Sequence, residues 1–301
     1  MTPQASAQIA LASPYADEDA LSQSASFMEG GKSIKVHYTD THPGSTDRPA
    51  VALLHGSGPG STGWNSFTAN RPHLLEAGFR LICIDHPGWG RSDALICRRD
   101  RSVLNARALE VVLRAAQITQ PIHVVGTSMG AHSASAFALQ WPDRTAKLVL
   151  VAGGTGGRSS FHSPRPEGVR AMLDFYRTPN PSTMRRFLEA VPFDAGSICD
   201  AVISLKLAAA NLRPEHLANF AMSIQEHPDQ FGDVVGRLHQ IASPTLVVWG
   251  CEDRFVPLDI GIQIATRIPN ADLHVFGRCG HVPHLERPAE FNRLLTQFLT
   301  D

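Results

Sequence analysis

The feature that most constrains this chain is a five-residue turn, Gly126-Thr127-Ser128-Met129-Gly130, set between an apolar run and a helix-forming run. Ile122 to Val125 reads as a buried strand, and Ala131 to Gln140 as a helix stopped by Trp141-Pro142. A G-x-S-x-G pentapeptide in that setting makes a sharp, strained elbow that exposes the serine above the sheet. The glycines remove the side chains that would clash at such a turn. The helix that follows aims its first N–H groups at the site, where they stabilise developing negative charge. The plainer reading is a strand-to-helix turn with a capping serine, and it uses the same residues.

The rest of the chain agrees with a sheet that supports such an elbow. Ile34 to Tyr38, Ala50 to Leu54, Leu81 to Ile84, Leu148 to Val151, Leu246 to Trp249 and Leu273 to Phe276 are short apolar or alternating runs. Helical patterns lie between or after them, at Asn105 to Ala116 and Ala289 to Leu299. Apolar strands alternating with helices predict an α/β architecture, a mostly parallel sheet flanked by helices. The alternation breaks between about 155 and 235. There, Glu167 to Arg177, Ser182 to Ala190, Ala201 to Ala210 and His216 to Glu226 read as helices, with no convincing strand. The expected division is a loosely held arm over 1–26, a core over 27–155 and 236–301, and an inserted helical lid over 156–235.

Composition removes several classes of function. The formal net charge is -1 and 18% of residues are charged, so nothing argues for nucleic acid or an anionic membrane surface. No apolar run approaches the ~18 residues of a spanning helix. The first twenty residues lack Lys and Arg and end in an acidic stretch, the wrong pattern for a signal peptide. A cytoplasmic enzyme acting on a small molecule is the expectation. Five scattered cysteines without a CxxC pair suit reduced thiols. No histidine pair has metal-ligand spacing; His281 and His284, three apart with Pro283 between, are a weak candidate. A phosphate cradle is also disfavoured, since the glycine-rich stretches lack a Gly-Lys-Ser/Thr ending. No metal or organic cofactor is expected.

A serine hydroxyl needs a base, and the base needs an orienting acid. With the serine at this elbow, the acid and then the histidine should follow later in the chain. Asp253 comes just after Leu246 to Trp249, and His281 just after Leu273 to Phe276. The expected catalytic set is Ser128, Asp253 and His281. Glu252 is the rival acid and His284 the rival base, though His284 lies far past its strand. His55-Gly56-Ser57-Gly58-Pro59-Gly60 also follows a strand, and Gly56 would let the backbone approach substrate closely. The backbone N–H groups of Ser57 and Met129 are the expected oxyanion hole.

These residues resemble the meta-cleavage-product hydrolases, serine-dependent carbon–carbon hydrolases of the α/β-hydrolase fold from bacterial aromatic degradation. The similarity runs through HGSGPGSTGWNSF (55–67), HPGWGRSD (86–93), AGGTGGRSSF (152–161), PEHLANF (214–220), WGCEDRFVPLD (249–259), LHVFGRCGH (273–281) and EFNRLL (290–295). It covers the chain from about 26 to the end and is strongest toward the branch acting on 2-hydroxy-6-oxonona-2,4-dienedioate. It implies an eight-stranded sheet with a lid, the triad and oxyanion donors named above, and an oligomer, a dimer or larger. It also implies substrate contacts from His132 and Cys279.

Four pocket positions depart from the family pattern. Its asparagine before the nucleophile is Thr127, its substrate-carboxylate arginine falls at Lys206, a phenylalanine at Val191, and a tryptophan after the catalytic histidine at Val282. Lysine keeps the charge but loses the bidentate fork, and Arg213 is a nearby alternative cation. The resemblance implies hydrolysis of a 2-hydroxy-6-oxo-2,4-dienoate to 2-hydroxypenta-2,4-dienoate and a carboxylic acid. The departures keep a carboxylesterase or lactonase on the same scaffold as the alternative. A non-enzymatic receptor would have no need of all three triad residues.

Overall fold

The computed structural model describes residues 18–153 and 159–301. Eight strands form one sheet in the order β1-β2-β4-β3-β5-β6-β7-β8. They are β1 (Ser22–Glu29), β2 (Lys32–Asp40), β3 (Ala50–Leu54), β4 (Arg80–Ile84), β5 (Ile122–Thr127), β6 (Thr145–Val151), β7 (Thr245–Gly250) and β8 (Ala271–Phe276). β1 pairs antiparallel with β2, and β2 with β4; every other pairing is parallel. The mostly parallel eight-stranded sheet expected from sequence is therefore present. Every residue of β3, β4 and β7 is buried, which is why these strands read as unbroken apolar runs rather than alternating ones.

Six helices accompany the sheet: α1 (Arg71–Glu76), α2 (Arg101–Ala115), α3 (Met129–Gln140), then α8 (Leu258–Arg267), α9 (Pro283–Glu286) and α10 (Pro288–Thr300) after the insertion. α2 packs on α3, α3 on β5 and β6, and α1 on α10. Asp100 caps α2 by accepting the N–H of Val103 at 3.1 Å. Between β6 and β7 the described residues hold no strand. They form α4 (Glu167–Arg177), α5 (Pro181–Ala190), α6 (Asp200–Asn211) and α7 (Pro214–Glu226), each within two residues of its predicted ends. Asn180 and Thr183 form a reciprocal capping box at the start of α5.

The amino terminus departs from expectation. A loose arm was expected over 1–26, but β1 begins at Ser22 and pairs with β2 along its whole length, Ser22 opposite Thr39 and Glu29 opposite Lys32. It is an edge strand with only Ala25 buried, so the apolar alternation that reveals a strand is absent from its sequence. Residues 1–17, and the GTGG stretch at 154–157, lie outside the described residues.

β1 is anchored by a buried polar cluster. The His37 ring donates from Nδ1 to Asp85 Oδ2 at 2.9 Å, and Asp85 also accepts the N–H groups of Gly63 and Arg91, both at 2.9 Å. Glu18 is fully buried beside this pair, and among the described residues neither of its carboxyl oxygens has a hydrogen-bond partner. Burial, reinforced by the Asp85 charge, raises its pKa from 4.5 to about 8. Folding therefore takes up a proton between those values, and stability falls as pH rises from about 4.5 to about 8. Glu18→Gln should flatten that dependence and be more stable than the parent above pH 8. Thermal melts across pH 4–9 check this; parallel curves for the two proteins would contradict it.

Candidate active site

The elbow is built as its sequence demands. Ser128 sits at φ 53 and ψ -119, a left-handed conformation that side chains rarely adopt. Its N–H donates to Val151 O at 2.8 Å, which holds the turn to the end of β6. A Cβ on Gly126 would lie 2.2 Å from Gly130 O, and one on Gly130 would lie 2.0 Å from Leu54 O. Only glycine fits at either place, so the helix can pass directly over the neighbouring strand end. Gly56 lies against the nucleophile, since a Cβ there would meet Ser128 Cβ at 3.1 Å. Ser128 itself is half-buried and so accessible.

Asp253 and His281 meet as expected. His281 Nδ1 lies 2.8 Å from Asp253 Oδ2, and the other Asp253 oxygen accepts the N–H groups of Phe255 (2.7 Å) and Val256 (3.0 Å). The Asp253 side chain is wholly buried, so this bond fixes the ring tautomer and leaves Nε2 for proton transfer. Phe255 stacks on the His281 ring at 4.6 Å and 22°. Among the described residues the Ser128 hydroxyl makes no hydrogen bond; serine–histidine bonds often tighten only once substrate binds.

The rivals are placed elsewhere. Glu252 Oε2 accepts the N–H of Cys279 at 3.0 Å and does not reach His281 as the orienting acid. His284 is buried against Phe67 and Phe291, and burial lowers its pKa to about 3, so it remains neutral. Arg213 is paired with Glu215 and donates to Gly90 O.

The proposed oxyanion donors are prepared by their surroundings. Met129 is the first residue of α3, so its N–H has no partner within the helix. Among the described residues none accepts the Ser57 N–H. His55 Nε2 accepts the N–H of His86 at 3.0 Å, so the proton sits on Nδ1, which donates to Gly56 O at 2.7 Å. In a planar trans peptide the Gly56 carbonyl and the Ser57 N–H point oppositely, so His55 fixes the direction of that N–H. On the next peptide, the Tyr176 hydroxyl of α4 donates to Ser57 O at 2.6 Å.

The expected substrate contacts fall into two groups. Thr127, at the end of β5 beside the nucleophile, has a buried hydroxyl without a hydrogen-bond partner among the described residues. Val191 O accepts the His281 N–H at 2.9 Å, Val282 follows His281, and Cys279, two residues before it, is fully buried. His132 lies one turn into α3 against Phe231, and burial lowers its pKa to about 4. Lys206 is separate from these. It lies on α6, half-buried, and its ammonium has no carboxylate or hydrogen-bond partner among the described residues. Loss of hydration there lowers its pKa. Of Tyr176, Phe255, His55 and Glu286, none of which is a site candidate from sequence, His55 and Phe255 carry a local signal, inside HGSGPG and DRFVPLD. The grouping with metal-ligand chemistry among the described residues is Glu18, His37 and Asp85, whose bonds tie down β1 rather than the triad.

An accessible serine on a strand–helix elbow, with an acid-supported histidine across the carboxyl edge of a parallel sheet, defines a serine hydrolase site. The model of the alpha/beta hydrolase family matches residues 51–294, and the chain belongs to that family. Within it, the chain is 45% identical over 282 residues to a 2-hydroxy-6-oxononadienedioate/2-hydroxy-6-oxononatrienedioate hydrolase of Burkholderia vietnamiensis, covering 94% of this chain and 96% of that one. The enzyme of that name from Escherichia coli O139:H28 is 42% identical, with the same coverage. Among solved structures, the meta-cleavage product hydrolase CumD of Pseudomonas fluorescens IP01 superposes with a TM-score of 0.79 at 27% identity, covering 91% of this chain and 97% of that one.

Removing the Tyr176 hydroxyl should loosen the Ser57–Gly58 peptide, next to the one that carries the proposed oxyanion donor. It leaves a buried carbonyl unpaired, at a cost of about 1–3 kcal/mol in stability. Tyr176→Phe is expected to lower kcat about tenfold with KM nearly unchanged, as for a group felt mainly in the transition state. Steady-state kinetics on any turned-over substrate decides it; an unchanged kcat would remove Tyr176 from the site.

Proposed function

We propose that this chain is a serine hydrolase that breaks the C5–C6 bond of a 2-hydroxy-6-oxo-2,4-dienoate. The observation that carries the reading is the 45% identity, over 94% of the chain, to an enzyme named for a nonadienedioate of this type. The Asp253–His281 pair and the elbow at Ser128 supply the chemistry it requires.

The dienol acid first becomes its keto tautomer, which creates an electron sink conjugated to the scissile bond. His281 takes the proton of Ser128, and Ser128 Oγ adds to the C6 carbonyl. The N–H groups of Ser57 and Met129 hold the oxyanion. As the carbonyl reforms, the C5–C6 electron pair moves into the five-carbon fragment, and His281 returns its proton there, giving 2-hydroxypenta-2,4-dienoate. Water, deprotonated by the same histidine, releases the remaining acyl group as a carboxylic acid. From a nonadienedioate that acid is a four-carbon diacid. Asp253 stabilises the imidazolium in both halves. From serine attack onward, His281 carries each proton.

Substrate acidity assigns a role to Lys206. A partly desolvated ammonium that meets no counter-charge among the described residues is unfavourable, and a substrate carboxylate would neutralise it. Gly56, Thr127, His132, Val191, Cys279 and Val282 complete the pocket in this reading. Residues 156–235 act as its lid, in a cytoplasmic enzyme that assembles as a dimer or larger. Among the described residues no helix is long and apolar enough to cross a membrane.

The second reading, a carboxylesterase or lactonase, is favoured by the four departures at Thr127, Val191, Lys206 and Val282. Est816, an N-acyl homoserine lactone degrading enzyme, also superposes with a TM-score of 0.71 at 25% identity. One comparison separates the two. The protein should bleach a yellow dienoate much faster than it cleaves short p-nitrophenyl esters, and Ser128→Ala should abolish bleaching. Fast ester turnover with the dienoate untouched would establish the second reading instead. Lys206→Ala should raise KM for the dienoate about tenfold or more, as expected for a lost charge pair, and leave neutral ester turnover nearly constant. Equal effects on both substrates would remove Lys206 from carboxylate binding.

A further inference from the structure

The catalytic histidine is held by the lid as much as by the sheet. Its own N–H donates to Val191 O, just past α5, at 2.9 Å. The residues on either side of it donate to a single carboxylate, that of Glu286. Gly280 N–H lies 2.9 Å from Oε2 and 3.1 Å from Oε1, and Val282 N–H lies 3.1 Å from Oε1. The same carboxylate accepts the N–H of Phe193, two residues beyond Val191, at 2.8 Å. Three backbone donors from two separate parts of the chain thus converge on one side chain. The approach is too close for anything but glycine at 280, where a Cβ would lie 2.5 Å from Val191 O and 2.7 Å from Phe193 N.

We propose that Glu286 is a positioning residue for catalysis: it locks the His281 loop to the 191–193 segment, so the lid sets where the imidazole stands above Ser128. The proposal rests on His281 being the base. A carboxylate is the group that suits this junction. Its two oxygens offer about four acceptor sites, and its charge strengthens bonds to N–H donors. A glutamine offers one acceptor oxygen and brings two donors to a place that needs none. An alanine leaves all three N–H groups without this acceptor. Asp253 fixes the histidine ring about its own axis, but it does not fix the backbone that carries the ring. That task falls to Val191 O and Glu286.

The test compares Glu286→Ala and Glu286→Gln with the parent and with Glu290→Gln, a nearby exposed acid paired with Arg287. Two rates are read: dienoate turnover, and phosphonylation of Ser128 by a fluorophosphonate, which needs the base but no substrate acid. Labelling is scored per folded molecule, with folding followed by circular dichroism. Glu286→Ala should slow labelling and kcat together, by about ten- to a hundredfold, with KM within about threefold, as expected for a misplaced catalytic group. Glu286→Gln should fall between it and the parent, and Glu290→Gln should match the parent. If Glu286→Ala proves insoluble, Glu286→Gln carries the test alone, and parental rates in it overturn the proposal. Lower thermal stability with parental labelling in either variant also overturns it, reducing Glu286 to a structural cap. A parent that labels but leaves the dienoate untouched would remove the carbon–carbon reading alone, because the labelling comparison still decides the role of Glu286.

Discussion

The structure depends on one strained residue. Ser128 is held at positive φ, a conformation that costs on the order of 1–3 kcal/mol and persists only where its surroundings over-determine it. Those surroundings are easily named. Ser128 N–H is bonded to the end of β6, Gly130 passes within contact of Leu54 O, and Gly126 faces the first turn of α3. Each relies on strands β3, β5 and β6 being adjacent and in register, Leu54 opposite Gly126 and Thr127 opposite Val151. The parallel order of the sheet is thus what keeps the nucleophile exposed. It also brings the loops after β3, β7 and β8, carrying Ser57, Asp253 and His281, to the same edge.

Much of this was legible in the sequence, for a physical reason. Parallel strands buried on both faces must be continuously apolar, so β3, β4, β5 and β7 announce themselves. The elbow and the two loops after β7 and β8 carry residue types that have few other uses at those positions. The helices between β6 and β7 were legible because their apolar residues recur at helical spacing. β1 was hidden because an edge strand with one buried residue has no alternation to read. The polar ties were hidden for a different reason. Glu286 acts through backbone N–H groups of residues 193, 280 and 282, and nothing in the side chains there reports that an acceptor is needed. Tyr176 is equally silent, since its partner is the carbonyl of Ser57, 119 residues away.

Those ties change what the insertion contributes. Besides Tyr176 and Glu286, Arg254 donates to Glu189 O at 2.9 Å and also to Pro192 O, and its own carbonyl accepts the N–H of Gly168. Gly168 lies flat on Phe255, where a Cβ would approach the ring to 2.3 Å, and Phe255 in turn stacks on His281. The loops after β3, β7 and β8 therefore each have a partner in α4, in α5 or just past α5. Among the described residues, helices α6 and α7 make no comparable bond to the triad loops. The insertion divides into a near half that completes the catalytic geometry and a far half that carries Lys206.

That division offers a way for one scaffold to change substrate without rebuilding its chemistry. Acyl transfer needs the nucleophile, base and oxyanion donors fixed to within fractions of an ångström, and here α4 and α5 belong to that framework. Recognition of the rest of the substrate tolerates more variation, because a single charge on a flexible stem reaches a carboxylate from many positions. In the function proposed above, Lys206 is a group of this second kind. The ammonium loses hydration on α6 and, among the described residues, gains no protein counter-charge. In that reading its most favourable partner is an anionic substrate, and the residue that lacks a counter-charge is also the one that selects for acidity.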